Sequence, residues 1–145
     1  QREEQEAISE KSIKDLKILL VEDNELNMEI AEFVIQNEGA SVTKAWNGQE
    51  AVEIFKKSRP DEFDVILMDI MMPIKNGYEA AKMIRALDRD DAKTVPIIAM
   101  TANAFTEDRL KSKESGMNEH IAKPIDAKLL VKVISEFVEN KEEDS

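Results

Sequence analysis

The chain has 145 residues, 42% of them hydrophobic and 35% charged, with no cysteine and a formal net charge of −11. That length suits one domain with a core of its own, and the missing cysteine excludes thiol catalysis, zinc–thiolate sites and iron–sulfur clusters. The acidic balance lacks the footprint of a nucleic-acid binder, and no apolar run approaches the ~20 residues of a membrane span, so neither direct nucleic-acid binding nor membrane contact is expected.

Residues 1–15 read as an acidic, solvated linker or helical extension, with Glu3, Glu4, Glu6 and Glu10 against Arg2 in residues 1–10. Ile18–Val21 is the first strand-sized apolar run; Asn24 then caps a segment with helical spacing at Leu26, Ile30, Phe33 and Val34, and Gly39 stands where a helix C-cap belongs. Ser41–Ala45 is the second strand, and Asn47-Gly48 opens a helix carrying Ala51, Val52 and Phe55. Phe63–Met68 is the third strand, followed by a helix with Ala80, Met83, Ile84 and Leu87. Pro96–Met100 is the fourth, followed by a weak polar helix over Thr106–Ser115 that stops at Gly116. Glu119–Ala122 is the fifth, and Asp126 caps a last helix with Leu130, Val133, Ile134 and Phe137. Residues 140–145 form an acidic tail, which leaves 16–139 as the folded domain.

Most of the strand-sized runs are continuously apolar, as suits strands buried on both faces. Strict βα alternation predicts an α/β three-layer sandwich: a five-stranded parallel sheet with five helices on its two faces, right-handed crossovers and the flavodoxin-like order 2-1-3-4-5. Ligands bind such sheets beyond the carboxyl ends of the strands. The residues there are Glu22-Asp23 after strand 1, Asp69 after strand 3, Thr101 after strand 4 and Lys123 after strand 5. Carboxylates so close disfavour one another's ionisation unless a cation intervenes. Mg²⁺ suits hard oxygen donors and keeps sites open for a phosphate oxygen. Acids, an ammonium and a hydroxyl around one metal are the parts that hold a phosphoryl group, with Asp69 as its nucleophile.

Four strings lie at these ends: Leu19-Leu-Val-Glu-Asp-Asn24, Met68-Asp-Ile-Met-Met-Pro73 with Gly77, Met100-Thr-Ala-Asn-Ala104, and Gly116-Met-Asn-Glu-His-Ile-Ala-Lys-Pro124. Together they resemble the motif set of two-component receiver domains, a CheY-like family, in order from about Lys17 to Val138. The forms of the second and third are most similar to receivers attached to hybrid sensor histidine kinases; a stand-alone response regulator is the alternative. The resemblance implies that Asp69 accepts a phosphoryl group from a phosphohistidine on a histidine kinase or histidine phosphotransfer partner, in a self-catalysed transfer with later autodephosphorylation. It implies Mg²⁺, with Mn²⁺ as a substitute, bound directly by Asp23 and Asp69, through water by Glu22 and by the backbone carbonyl of Met71. Lys123, Thr101 and the Ala102 amide would contact phosphoryl oxygens, and the Lys123-Pro124 bond would be cis. Thr101 would then move toward the phosphoryl group and the ring of His120 swing inward. That reshapes the face of the fourth helix, fifth strand and fifth helix, also a surface for homodimers. His120 departs from the tyrosine or phenylalanine of many receivers. A cytoplasmic location follows, including the cytoplasmic part of a membrane-anchored sensor.

Competing readings fit less of the chain. A haloacid-dehalogenase-type aspartyl-phosphate hydrolase wants a second aspartate two residues past the nucleophile, where Met71 stands. A flavodoxin-like or nucleotide-binding module wants a phosphate-cradling loop after strand 1, where Glu22-Asp-Asn-Glu25 would repel phosphate. Met71 and Asn103 are placed beside the path of an attacking water, and Met71 offers no group to orient it, so a long-lived phosphoryl group is expected. Trp46 reads as packing at the rim of the site.

Overall fold

The computed structural model describes residues 12–72, 76–101, 106–123 and 125–144. Its elements run β1 (Lys17–Val21), α1 (Glu25–Asn37), β2 (Ser41–Ala45), α2 (Gly48–Lys57), β3 (Val65–Asp69), α3 (Gly77–Arg85), α4 (Asp90–Thr94), β4 (Ile97–Thr101), α5 (Thr106–Glu114), β5 (Glu119–Ala122) and α6 (Ala127–Asp144). The five strands form one sheet in the order β2-β1-β3-β4-β5, every pair parallel, as the alternation predicts. Among the described residues no helix is long and apolar enough to cross a membrane.

Side chains alternate across the pleat and build two cores. Leu19, Val21, Ile66, Met68, Ile97 and Ala99 pack with Ala51, Val52 and Phe55 of α2 and Ala80, Ala81 and Ile84 of α3. Ile18, Leu20, Val65, Leu67, Ile98, Met100 and Ile121 pack on the other face with Met28, Ala31 and Ile35 of α1 and Leu130 and Ile134 of α6. The central strands β3 and β4 are buried along their whole length, whereas the edge strand β2 is largely exposed.

The capping residues act as expected. Asn24 and Asn47 accept from the backbone amides of Asn27 and Glu50 at 2.9 and 2.8 Å, and Asp126 accepts from that of Leu129 at 3.3 Å. Gly39 and Gly116 have φ of 90° and 95°. Each ends its helix with paired bonds, from Gly39 N–H to Gln36 and Ala40 N–H to Ile35 in one case, and from Gly116 N–H to Lys113 and Met117 N–H to Ser112 in the other.

Several expectations change. The stripe Leu26, Ile30 and Phe33 keeps its helical spacing but faces solvent, with Leu26 63% and Phe33 70% exposed, because α1 is apolar on two sides and the sheet takes Met28, Ala31 and Ile35. A sixth helix, α4, adds to the expected five; it is short and polar and buries Ala92. Asp69 and Thr101 are the last residues of their strands rather than the first beyond them. Ile13, in the stretch read as linker or extension, is fully buried, and the Asp15 amide donates to Gly39. Residues 1–11 lie outside the described residues, and α6 continues to Asp144 through most of the stretch read as tail.

Candidate functional site

Register alone assembles the acids. Val21 pairs with Met68, so the next residues of these neighbouring strands, Glu22 and Asp69, stand side by side, and Asp69 pairs across β4 with Met100, next to Thr101. Asp23 follows at the turn into α1. Carboxylate oxygens of Glu22, Asp23 and Asp69 lie within 4.8 Å of one another. Glu22 and Asp69 are buried to 2% exposure, while Asp23 is open to solvent.

Lys123 arrives from the end of β5, its strand continued by a bond from its own amide to the Thr101 carbonyl at 2.8 Å. Its Nζ lies 3.1 Å from Glu22 Oε2 and 3.2 Å from Asp69 Oδ2, so one ammonium bridges the two buried acids. Each acid also accepts one backbone amide, Glu22 Oε1 from Asn24 at 3.2 Å and Asp69 Oδ1 from Met71 at 3.2 Å.

Burial pushes the Glu22 carboxyl above its ordinary pKa, and the Asp69 charge pushes the same way; the Asn24 amide and Lys123 offset only part of this. Burial pulls the Lys123 ammonium down, but Asp69 and Glu22 outweigh it and hold the group above the ordinary lysine range. Three acids against one ammonium leave the cluster short of positive charge. Its oxygen-only donor set fits a small hard divalent cation such as Mg²⁺ and does not suit a soft metal. Met71 is 77% exposed, consistent with a role for that residue through its backbone.

Thr101 and His120 are buried, on adjacent strands. Because Ala99 pairs with His120 and Thr101 with Ala122, the side chains of Thr101 and His120 share one face of the sheet. The His120 ring is inward in this structure, 3% exposed, with Nδ1 at 3.8 Å from Glu119 Oε1. The expected positions Ala102 and Pro124 lie outside the described residues. The structure thus brings Glu22, Asp23, Asp69 and Lys123 into one cluster, with Thr101 at the end of the neighbouring strand and His120 farther along β5.

Three contributors escape a reading by residue type. The amides of Asn24 and Met71 act through the backbone, which any residue could supply. Gly77 closes the site from below: its N–H donates to the Ile70 carbonyl at 3.0 Å, and a Cβ there would lie 2.5 Å from the Asp69 carbonyl oxygen.

Residues 18–135 match the family described as response regulator receiver domain. Hybrid signal transduction histidine kinase I of Dictyostelium discoideum is 38% identical over 121 residues, which are 82% of this chain and 7% of that protein. The polar-differentiation response regulator DivK of Brucella anthropi is 34% identical over 83% of this chain and 94% of its own length. Among solved structures, the receiver domain of the sensor histidine kinase PA1611 of Pseudomonas aeruginosa, with a magnesium ion coordinated in its active site cleft, is 37% identical. It superposes with a TM-score of 0.77 over 86% of this chain and 98% of that one. The chain spans only a small part of the histidine kinases that it resembles.

Proposed function

Because the chain belongs to the response regulator receiver domain family of two-component signalling, we propose that Asp69 is its phosphoacceptor and takes the phosphoryl group from a phosphohistidine. The observation that carries this is the ammonium of Lys123 held between two buried carboxylates, one of them at the end of the central strand β3. An Asp69 oxygen bonds to phosphorus as the N–P bond breaks, and the imidazole, protonated from solvent at its other ring nitrogen, takes the N–P electron pair and leaves neutral. The protein's part is positioning and charge compensation in a loose transition state. Lys123 keeps its proton throughout and follows the incoming oxygens. The Thr101 hydroxyl, at the end of β4, and the Ala102 amide donate to the others. Mg²⁺ or Mn²⁺ on Glu22, Asp23, Asp69 and the Met71 carbonyl would supply the Lewis-acid charge that three acids and one lysine lack.

The donor's landing surface is the outer face of α1. The exposed stripe Leu26, Ile30 and Phe33 begins directly after the Glu22-Asp23-Asn24 turn, and Ile30 lines the same cavity of about 30 Å³ as Glu22 and Lys123. A partner carrying the phosphohistidine, a histidine kinase or a phosphotransfer protein, covers this stripe while its histidine reaches Asp69. The hybrid-kinase relatives support a place for the chain as the receiver of such a kinase. The output, homodimerisation included, leaves through the α5-β5-α6 face, with Thr101 and His120 as the switch on the shared face of β4 and β5.

The deciding experiment incubates the protein with Mg²⁺ and acetyl phosphate. One stoichiometric, hydroxylamine-labile label is expected, lost in Asp69→Asn; turnover of a phosphomonoester without an accumulating label overturns the assignment. Ile30→Ser with Phe33→Ser is expected to slow labelling from a phosphorylated histidine partner and not from acetyl phosphate.

A further inference from the structure

The close contact beneath Asp69 has a consequence for the site. We propose that Gly77 is a positioning residue: the missing side chain at the start of α3 fixes where the Asp69 carboxylate stands, an inference that rests on Asp69 being the phosphoacceptor.

The glycine is not required by backbone conformation, since the positive-φ glycines are Gly39 and Gly116. At the first position of a helix, alanine would ordinarily be accepted. What excludes it is the neighbour. A Cβ at Gly77 would lie 2.5 Å from the Asp69 carbonyl oxygen, 3.0 Å from Ile70 Cα and 3.1 Å from Met68 Cγ. The two closest of these atoms belong to the backbone around the phosphoacceptor, and backbone cannot rotate out of the way as a side-chain tip can.

Relief by retreat of α3 is opposed at several points. The Asn76 side chain accepts from Glu79 N–H while the Glu79 carboxylate accepts from Asn76 N–H, a reciprocal cap that pins the helix start. Tyr78, Ala80, Ala81 and Ile84 are buried, and Arg85 at the far end donates to the Gly116 carbonyl at 2.8 and 3.0 Å. The Gly77 amide itself is tied to the Ile70 carbonyl. The strain therefore passes into the end of β3. Reaching ordinary contact opens the gap by about 0.9 Å, beyond the ~0.5 Å within which a site of this kind must be held. Asp69 touches Lys123 and the Met71 amide at 3.2 Å each, so such a shift breaks at least one of these contacts.

The test measures Mn²⁺ binding by calorimetry and labelling by acetyl phosphate in the full chain, its Gly77→Ala variant and Arg89→Ala. The last is a control whose lost contacts lie at the opposite end of the sheet. Gly77→Ala is expected to bind Mn²⁺ about tenfold more weakly, as for a lost supporting contact to a metal ligand, and to label correspondingly slowly. Arg89→Ala, though less stable, is expected to keep the wild-type affinity. A folded Gly77→Ala with affinity and labelling within twofold of wild type overturns the inference, as does an equal loss in Arg89→Ala. Should Gly77→Ala not fold, Asn76→Ala loosens the same helix start without a collision and is expected to weaken Mn²⁺ binding measurably, whereas unchanged affinity there overturns the inference. Failure of the wild-type chain itself to bind or label overturns the phosphoacceptor assignment instead, so the two failures are told apart.

Discussion

At the carboxyl edge of the sheet Glu22 and Asp69 are buried with a single ammonium between them, whereas at the amino edge the guanidinium groups of Arg85 and Arg89 are matched almost donor for acceptor. Arg89 donates to the carbonyls of Phe55, Lys56, Ser58 and Arg59 at the end of α2, pairs with Asp91 at 2.7 Å and lies over the Phe55 ring. Arg85 ties the end of α3 to the carbonyls of Gly116 and Ala92 and to Asn118. Cations at helix C-termini answer both the dipole and the orphan carbonyls. One edge is electrostatically complete and holds the fold together; the other is left short of positive charge, an arrangement that suits a small hard cation. Stability and function are thereby separated along the strand direction.

Four measurements sharpen or break this separation. The largest effect is expected for Lys123→Ala, which should slow labelling by acetyl phosphate about 10²–10³-fold, because both buried acids lose their shared cation; a loss under tenfold would mean that the ammonium is structural. Next, Arg89→Ala should cost about 2–4 kcal/mol in urea unfolding with the labelling rate unchanged, and a parallel fall in labelling would show the two edges to be coupled. Third, Mg²⁺ at a hundredfold excess over its Kd should stabilise the wild type by about 2.7 kcal/mol, and Arg89→Ala equally. Asp23→Asn should lose most of that increment, which a chelator should abolish in every variant. The smallest effect concerns pH. Burial alone would raise the Asp91 carboxyl, but the Arg89 guanidinium and the amides of Asp61 and Ala92 outweigh it and hold the group below the ordinary range. A carboxyl depressed in the folded state stabilises above its unfolded pKa, near 3.9, and loses that contribution as pH falls through the folded value. The stability gap between wild type and Asp91→Asn should therefore be full at about pH 6 and shrink progressively as pH falls below about 3.9; a gap that is flat with pH would contradict the assignment.

The acidic site was legible because its chemistry sits in residue types at strand ends, and a parallel sheet leaves few ways to arrange those ends. Glu22, Asp69 and Lys123 meet as their order along the chain implies. Periodicity was a poorer guide to burial on α1. Leu26, Ile30 and Phe33 announce a helix as well as Met28, Ala31 and Ile35 do, and only the packed sheet decides which stripe it covers. The helix α4 went unseen because Asp-Asp-Ala-Lys-Thr has one apolar residue to bury and its N-cap makes no side-chain bond. The helix with Ala80, Met83, Ile84 and Leu87 carries no cap in the sequence reading, although Asn76 with Glu79 three residues on forms a capping box. Supports made by backbone amides, at Asn24 and Met71, leave no trace in residue identity. The closeness of Gly77 to Asp69 needs the packed helix to be seen.

The α6 helix has 18 residues, which at 1.5 Å each makes it about 27 Å long, against about 17 Å for a five-residue strand. It starts at the carboxyl edge after β5 and runs back past the amino edge. Ile13, where the described chain enters the core, joins that same rear end through the bond from Asp15 to Gly39. The first and last described residues, Ser12 and Asp144, thus both lie toward the edge of the sheet opposite the acidic cluster.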